Sequence, residues 1–239
     1  MCVSMPANID KKNVPYHLGI IPDGNRRWSK KSHLNLFRSY NMGIKKTVDC
    51  AIWAKDLGIK VVTSWALSKE NLNNRSSTEL NTLFKLYTMA AYDKSIRKTI
   101  DRNHIRINVV GELNMLPAKV KKALKDLAAY TAKNTGIIVN ILICYSGKDD
   151  IMAALGKSSA KKGVKVRESY FKRRMISRSI PDLDLIIRTS GEMRLSGFLP
   201  LQSTYAELYF MDKYWPEVQK KDLEDAVAEF SSRKRRFGK

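Results

Sequence analysis

The sequence predicts a single-domain α/β fold: an open sandwich with a central, mainly parallel six-stranded sheet flanked by helices. Two observations predict it. Six short runs rich in β-branched and other apolar residues are almost continuous in hydrophobicity, as strands buried on both faces are. Between them lie longer segments of helical periodicity, and such alternation requires crossover connections and hence parallel strands. The 239 residues can enclose one sizeable core, and no internal repeat, low-complexity block or Pro/Gly-rich linker divides them, so residues 1–239 are read as one domain.

Taken along the chain, the first strand covers residues 16–21, where Tyr-His-Leu-Gly-Ile-Ile stops at Pro22. A helical period follows over 43–57, ending at Gly58, and then a second strand over 59–66. Residues 78–103 read as one long helix leading to a strand at Ile105–Val110. Pro117 opens a helix over 117–134, followed by the strongest apolar run, 137–144. Helices at 149–157 and 168–177 precede strands at 183–187 and around 206–210, and residues 219–233 form the last helix.

Composition narrows the function classes. The chain has 44% hydrophobic residues, no apolar run approaches the roughly 20 residues that cross a bilayer, and a secretory signal pattern is missing at the start, so a soluble cytoplasmic protein is expected. Peripheral membrane contact stays open. Cys2, Cys50 and Cys144 are too widely spaced for a zinc site, and their odd number fits no disulfide framework. A net charge of +21 draws polyanions of every kind: nucleic acid, anionic lipid or phosphorylated small molecules. Nine basic residues face one acid, Glu168, between Lys157 and Arg178, a stretch that is equally well a solvated basic face. The tryptophans and tyrosines form no regular stacking platform, so nucleic acid is not expected as a partner.

In open parallel sheets ligands bind beyond the carboxyl ends of the strands. Those positions are unusually polar here. The first strand is followed by Pro22-Asp23-Gly24-Asn25-Arg26-Arg27-Trp28, the second by Ser68-Lys69-Glu70-Asn71, the fourth by Tyr145-Ser146-Gly147, and the fifth by Arg188-Thr189-Ser190-Gly191-Glu192-Met193-Arg194-Leu195-Ser196. A glycine where a strand meets a helix lets backbone N–H groups approach an anion, and Arg26 and Arg27 add bidentate phosphate contacts. An acid inside such a site is repelled by its ligand unless a divalent cation intervenes, so Asp23 reads as a Mg2+ ligand; a plain turn with Asp23 as a helix cap is the alternative. Arg188, Arg194 and Ser196 form a second anion cradle, unless the arginines merely pair with Glu192 and surface acids. Two diphosphate-type sites without a conventional nucleophile suggest transfer between two phosphorylated substrates. A nucleotide phosphate loop and a dinucleotide fingerprint are both missing.

These stretches, with His17-Leu18-Gly19-Ile20-Ile21 before the first, Tyr205-Ala206-Glu207-Leu208, and Arg235-Arg236-Phe237-Gly238 at the end, resemble the cis-prenyltransferase (undecaprenyl diphosphate synthase-like) family from about Val14 to Gly238. The resemblance implies an enzyme that condenses an allylic prenyl diphosphate, dimethylallyl or longer, with isopentenyl diphosphate, Mg2+ being the cofactor and a homodimer the working form. It implies catalytic roles for Asp23, Asn25 and Ser68. Substrate contacts would come from Gly24, Arg26, Arg27, Trp28, Asn71 and Arg75 on the allylic side, and from Arg188, Arg194 and Ser196 in the second cradle. Arg236 and Gly238 would complete the neighbour's site, and Glu207 would be a further metal ligand beside Asp23. Leu80, Phe84 and Tyr87, with Leu142 and Ile143, are candidates for an apolar tunnel.

Departures from the family pattern accompany the match. Leu36 and Tyr40 replace an arginine and a histidine near the first diphosphate, with Arg38 as a candidate replacement; Leu72, Gly197 and Leu201 stand where larger or amide side chains are usual, and Arg75 comes one place late. Bulky Leu142 and Ile143 imply a short- to medium-chain product. Irregular, non-head-to-tail condensation with dimethylallyl diphosphate in the second cradle is the alternative, and a noncatalytic partner subunit is another, disfavoured because Asp23 is retained.

Overall fold

The computed structural model describes residues 9–10, 13–159 and 167–235, with backbone only at 158 and 159. Arg236, Gly238 and part of the basic stretch after Lys157 lie outside the described residues. Strand β1 (His17–Ile21) leads through helices α1 (Asn25–Lys31) and α2 (Leu36–Asp56) to β2 (Val61–Ser68). Helices α3 (Lys69–Asn74), α4 (Ser77–Tyr92) and α5 (Lys94–Arg102) precede β3 (Ile105–Val110); α6 (Ala118–Thr131) joins it to β4 (Ile137–Tyr145). Then come α7 (Gly147–Ser159), α8 (Glu168–Lys172), β5 (Leu185–Arg188), β6 (Glu207–Phe210) and α9 (Lys220–Ser232).

Among the described residues, six strands pair in parallel, in the order β3-β4-β2-β1-β5-β6. Side chains on one sheet face pack against α2, α5, α6 and α9 through Ala51, Ile100, Leu127 and Val227, and Leu83 and Leu86 of α4 close that layer near the strand ends. The other face is covered by Ile180, Phe198 and Leu199. Chain segments leaving β1 and β5 run to opposite sides, toward β2 and β6. A crevice therefore opens between the ends of these two adjacent strands, the place where ligands bind in doubly wound sheets.

Several boundaries shift by a few residues and the helix expected over 168–177 ends at Lys172, while two differences have clear local reasons. The predicted helix over 78–103 breaks at Asp93, which leaves helical geometry and accepts the Ser95 and Ile96 N–H groups at 2.9 Å, starting α5 as a separate helix. Helix α2 starts at Leu36 instead of Gly43, because the Asn35 carboxamide caps Arg38 N–H at 2.9 Å. The helices α1 and α3 are too short for a period to show.

A polar chain crosses the buried middle of the sheet. The His17 Nδ1 edge meets the Pro181 and Asp182 carbonyls at 3.0 and 3.2 Å, and Nε2 lies 2.7 Å from the Thr63 hydroxyl. The Asn140 amide donates to Thr63 at 3.0 Å, and Asn108 donates to Asn140 at 3.0 Å. This pattern assigns a neutral imidazole that donates from Nδ1 and accepts at Nε2. Burial lowers the His17 pKa to about 4, against the weaker opposing effect of the carbonyls. Below about pH 6.5 the unfolded chain therefore binds a proton that the native state refuses, and stability falls from that pH down to about 4. The drop expected from this one group is about 3 kcal/mol at most. Urea unfolding midpoints across this range should fall less steeply in His17→Gln than in the wild type; equal slopes would remove His17 as the source.

Candidate active site

Asp23 sits in the β1–β5 crevice, and its backbone is fixed before its side chain is used. The buried Thr189 hydroxyl, one residue past β5, accepts Asp23 N–H and donates to Asp23 C=O, both at 2.8 Å. Trp215 N–H adds a 3.0 Å bond to the same carbonyl, while its indole donates to Gly43 C=O at 2.8 Å, tying α2 to the loop. The carboxylate then meets Arg188 at 2.9 Å, Arg27 at 3.4 Å and its neighbour Gly24 N–H at 2.7 Å. Burial raises the Asp23 pKa, but the Arg188 hydrogen bond, the Gly24 N–H and the two guanidinium charges outweigh it and leave it below the ordinary carboxylate value. Asp23 is thus ionised at neutral pH.

Gly24 caps α1 with φ +93°, and a Cβ there would stand 2.6 Å from the Tyr214 ring and 2.7 Å from the Ser190 hydroxyl. Only glycine suits this corner. No side chain caps the helix, and its first residues, Asn25 to Arg27, line the crevice. Asn25 lines the same space, with a buried Oδ1 that has no hydrogen-bond partner. A Cβ at Gly43 would come within 2.4 Å of that oxygen, so the glycine makes room for the amide.

Arg188 ends β5 and is almost wholly buried. It donates to Asp23, to Arg194 C=O and to Ser196 Oγ at 2.9 Å, which folds the 188–196 loop around one guanidinium. Ser190, Gly191 and Ser196 have φ of +80°, +71° and +52°, the backbone cost of that tight loop. Glu192 bridges the two cationic groups: it pairs with Arg27 at 2.9 Å and with Arg194. The Arg194 hydrogen bond, aided by both guanidinium charges, holds the Glu192 pKa below the ordinary range.

Behind this mouth a cavity of ≈ 1120 Å³ runs between the sheet and helices α2, α4, α5 and α6. Its rim carries Asp23 to Arg27, Ser68, Asn71, Arg75, Arg188, Arg194 and Ser196; its depth is apolar, from Leu83 and Ile141 down to Ile100 and Ile105. Ser68 and Asn71 are linked, the hydroxyl capping α3 by accepting Asn71 N–H at 3.0 Å. On the wall opposite Asp23, the buried Glu79 accepts from the Tyr40 hydroxyl at 2.5 Å and pairs with Arg75 at 3.2 Å and Arg26 at 3.8 Å. Burial, reinforced by Glu79, raises the Tyr40 pKa, so the phenol remains a neutral donor. Arg75 thus joins Arg26 on this side, and its NH1 also donates to Tyr40 at 3.3 Å; Arg38 is exposed and does not reach the cavity.

Two expected site residues fall elsewhere. Trp28 is buried in the packing of α1 and does not line the cavity. Glu207 pairs across the sheet with Leu185, three residues before Arg188, so it lies roughly 10 Å toward the opposite edge, where it binds Arg233 at 2.6 Å. Within the chain it therefore does not stand next to Asp23, and its carboxylate is engaged by Arg233. Among the described residues no cluster of three or more His, Cys, Asp or Glu could hold a metal. Of the tunnel candidates Tyr87 lines the cavity, whereas Leu80, Phe84, Leu142 and Ile143 do not; Leu142 and Ile143 pack into the core on opposite faces of β4. Glu79 and Thr189 escaped the sequence reading, the first inside a helical period and the second hidden among charged neighbours.

Gly24→Ala should lower Tm by several degrees and abolish turnover, because it adds a strained φ to two contacts below 3 Å. A stable, fully active variant in thermal melts and turnover assays would contradict this geometry.

A prenyltransferase family model described as undecaprenyl diphosphate synthase matches residues 21–238. The tritrans,polycis-undecaprenyl-diphosphate synthase (GGDP specific) of Sulfolobus acidocaldarius is 37% identical over 230 residues, 94% of this chain and 88% of that protein. A ditrans,polycis-undecaprenyl-diphosphate synthase, farnesyl-diphosphate specific, from Pasteurella multocida is 36% identical over 96% of this chain and 97% of its own length. The crystal structure of lavandulyl diphosphate synthase from Lavandula x intermedia, in complex with dimethylallyl diphosphate, superposes with a TM-score of 0.87 at 29% identity, covering 95% of this chain and all of that one. With the fold, the paired cationic cradles and the apolar tunnel, these matches make the chain a member of the undecaprenyl diphosphate synthase family, the cis-prenyltransferases.

Proposed function

We propose that this cis-prenyltransferase condenses dimethylallyl or a longer allylic diphosphate with isopentenyl diphosphate, in cis and head to tail, to give a short- or medium-chain prenyl diphosphate. The observation that carries this reading is one ionised carboxylate between two groups of guanidiniums at the mouth of an apolar cavity. Arg26, Arg27 and the N–H groups from Gly24 to Arg26 take the allylic diphosphate; Arg188, Arg194 and Ser196 take the second. The allylic carbon–oxygen bond breaks, its electron pair leaving with the diphosphate, and the carbon joins the alkene carbon of isopentenyl diphosphate before a proton is lost. Asn25 and Ser68 flank the reacting carbons, and the arginines stabilise charge that develops on the departing diphosphate.

Asp23 suits Mg2+ of the kind held by one carboxylate and substrate phosphates, because it is ionised, partly exposed and on the rim. Bound there, the ion would neutralise the leaving group. The same reading includes a homodimer whose partner segment brings Arg236 and Gly238, a cytoplasmic location, and peripheral contact with a membrane through the protein's positive charge.

Asp23→Ala should remain folded, since Arg188 keeps its bonds to Arg194 and Ser196, yet lose at least about a hundredfold in turnover. Near-normal rates at saturating Mg2+ would reject the assignment. Chain length depends on the far wall instead of on Leu142 and Ile143, so Ala91→Phe, which fills the deep end, should shorten products read by chromatography.

Irregular condensation is the second reading, favoured by Leu36 and Tyr40 in the first cradle and by likeness to a structure that holds dimethylallyl diphosphate. NMR of products from dimethylallyl diphosphate alone separates the two. Branched products support it, and strict need for isopentenyl diphosphate with linear products removes it.

A further inference from the structure

The helices that wall the deep end of the tunnel turn an unusual face outward. Ala90 and Ala91 of α4, Ile96 and Ile100 of α5 and Leu124 and Leu127 of α6 line the cavity. On their opposite sides Met89 and Tyr92 of α4 and Tyr130 of α6 are large and 45–49% exposed. Hydrogen bonds make the three helices one surface: the Tyr92 hydroxyl donates to Asp126 of α6 at 2.6 Å, and the Tyr130 hydroxyl donates to Asp101 of α5. Between the two rings lies Arg97, 5.3 Å from the Tyr92 centroid and 4.5 Å from that of Tyr130.

Around these apolar groups the exposed charges are mainly positive: Lys85, Lys94, Lys98, Lys125 and Lys133. The acids within the patch are already engaged. Asp93 caps α5, Asp101 accepts from Tyr130, and Asp126 accepts from Tyr92 and from Lys122 at 2.7 Å. Aromatic rings and a methionine ringed by lysines, on short helices lying side by side, are the composition of an interfacial membrane anchor: rings and thioether enter the headgroup layer while lysines meet anionic lipid.

We infer that the outer face of α4, α5 and α6 docks on an anionic lipid bilayer, setting the closed end of the tunnel against the membrane. The inference deepens the proposed function by naming the contact surface, and it rests on that reading for the hydrocarbon in the tunnel. Charge decides the occupant. A positive rim around apolar residues complements anionic lipid, whereas a second copy would oppose lysine to lysine. One helix, about 10 Å across, would then separate a growing tail from the acyl layer.

Sedimentation of the full-length protein with vesicles of phosphatidylcholine and phosphatidylglycerol tests this, with pure phosphatidylcholine as the comparison. Each basic residue at an anionic surface is worth roughly fivefold in affinity, so Lys94→Glu with Lys98→Glu should weaken binding to the anionic vesicles at least about tenfold. Met89→Ser should weaken it by a smaller factor that salt does not change. Arg173→Glu with Arg178→Glu, on the separate basic stretch near α8, should have little effect. No preference for anionic vesicles, or loss of binding only in the α8 pair, would overturn the assignment. So would a change in lipid-free sedimentation velocity on reversing Lys94 and Lys98, which would make the face an interface between copies. Turnover of short, water-soluble prenyl diphosphates should be the same in all these variants. Inactivity of the wild type with lipid binding intact would defeat the proposed function and leave the docking face standing.

Discussion

The contact between Arg188 and Asp23 is the constraint on which the site depends. It joins the last residue of β5 to the loop after β1, and the Thr189 and Trp215 bonds to the Asp23 backbone hold both sides of the junction. A guanidinium this buried is costly unless paired. Three acceptors on one side of it turn that cost into geometry, because Asp23, Arg194 and Ser196 can all be served only in one loop conformation. The anion cradles are therefore shaped by the sheet and not by flexible surface chains.

Like charges are held side by side in two further places. Glu192 holds Arg27 and Arg194, one from each cradle, and Glu79 holds Arg26 and Arg75 on the far wall. Both acids limit the mutual repulsion of four guanidiniums crowded around one mouth. The cations around the mouth are thus oriented by the protein's own acids. Tyr40 belongs to this arrangement, its neutral hydroxyl bridging Glu79 and Arg75 where a histidine would bring a titrating group.

Much of this was legible in the sequence. Continuous apolar runs gave six strands because a parallel sheet covered on both faces leaves no polar alternation to obscure them. Asp23, Arg188 and their neighbours stood out because strand ends are the wrong place for charge unless a ligand is bound there. Less visible were contacts made by helix packing: Glu79 looks like any exposed acid on an amphipathic helix until α2 brings Tyr40 over it. The position of Glu207 was hidden for a related reason, since motif membership says nothing about which end of a strand a residue occupies. Leu142 and Ile143 misled for a simpler reason: neighbours on a strand point to opposite faces, so Leu142 falls in the core with Phe198 while Ile143 is taken up in the core with Leu83 and Leu86.

Strand order has a consequence for how the chain matures. Pairing of β1 with β5 brings together residues about 165 positions apart, and β4 must insert between β2 and β3, which precede it. During synthesis the first 130 or so residues can pair β1 with β2 but leave β3 without β4, the strand it pairs with. Contacts this distant in sequence slow folding and leave apolar strand edges uncovered while the rest is made. The nascent protein is thus most exposed to aggregation in its first half, and its catalytic mouth is among the last parts to assemble, since Asp23 must wait for Arg188 to emerge.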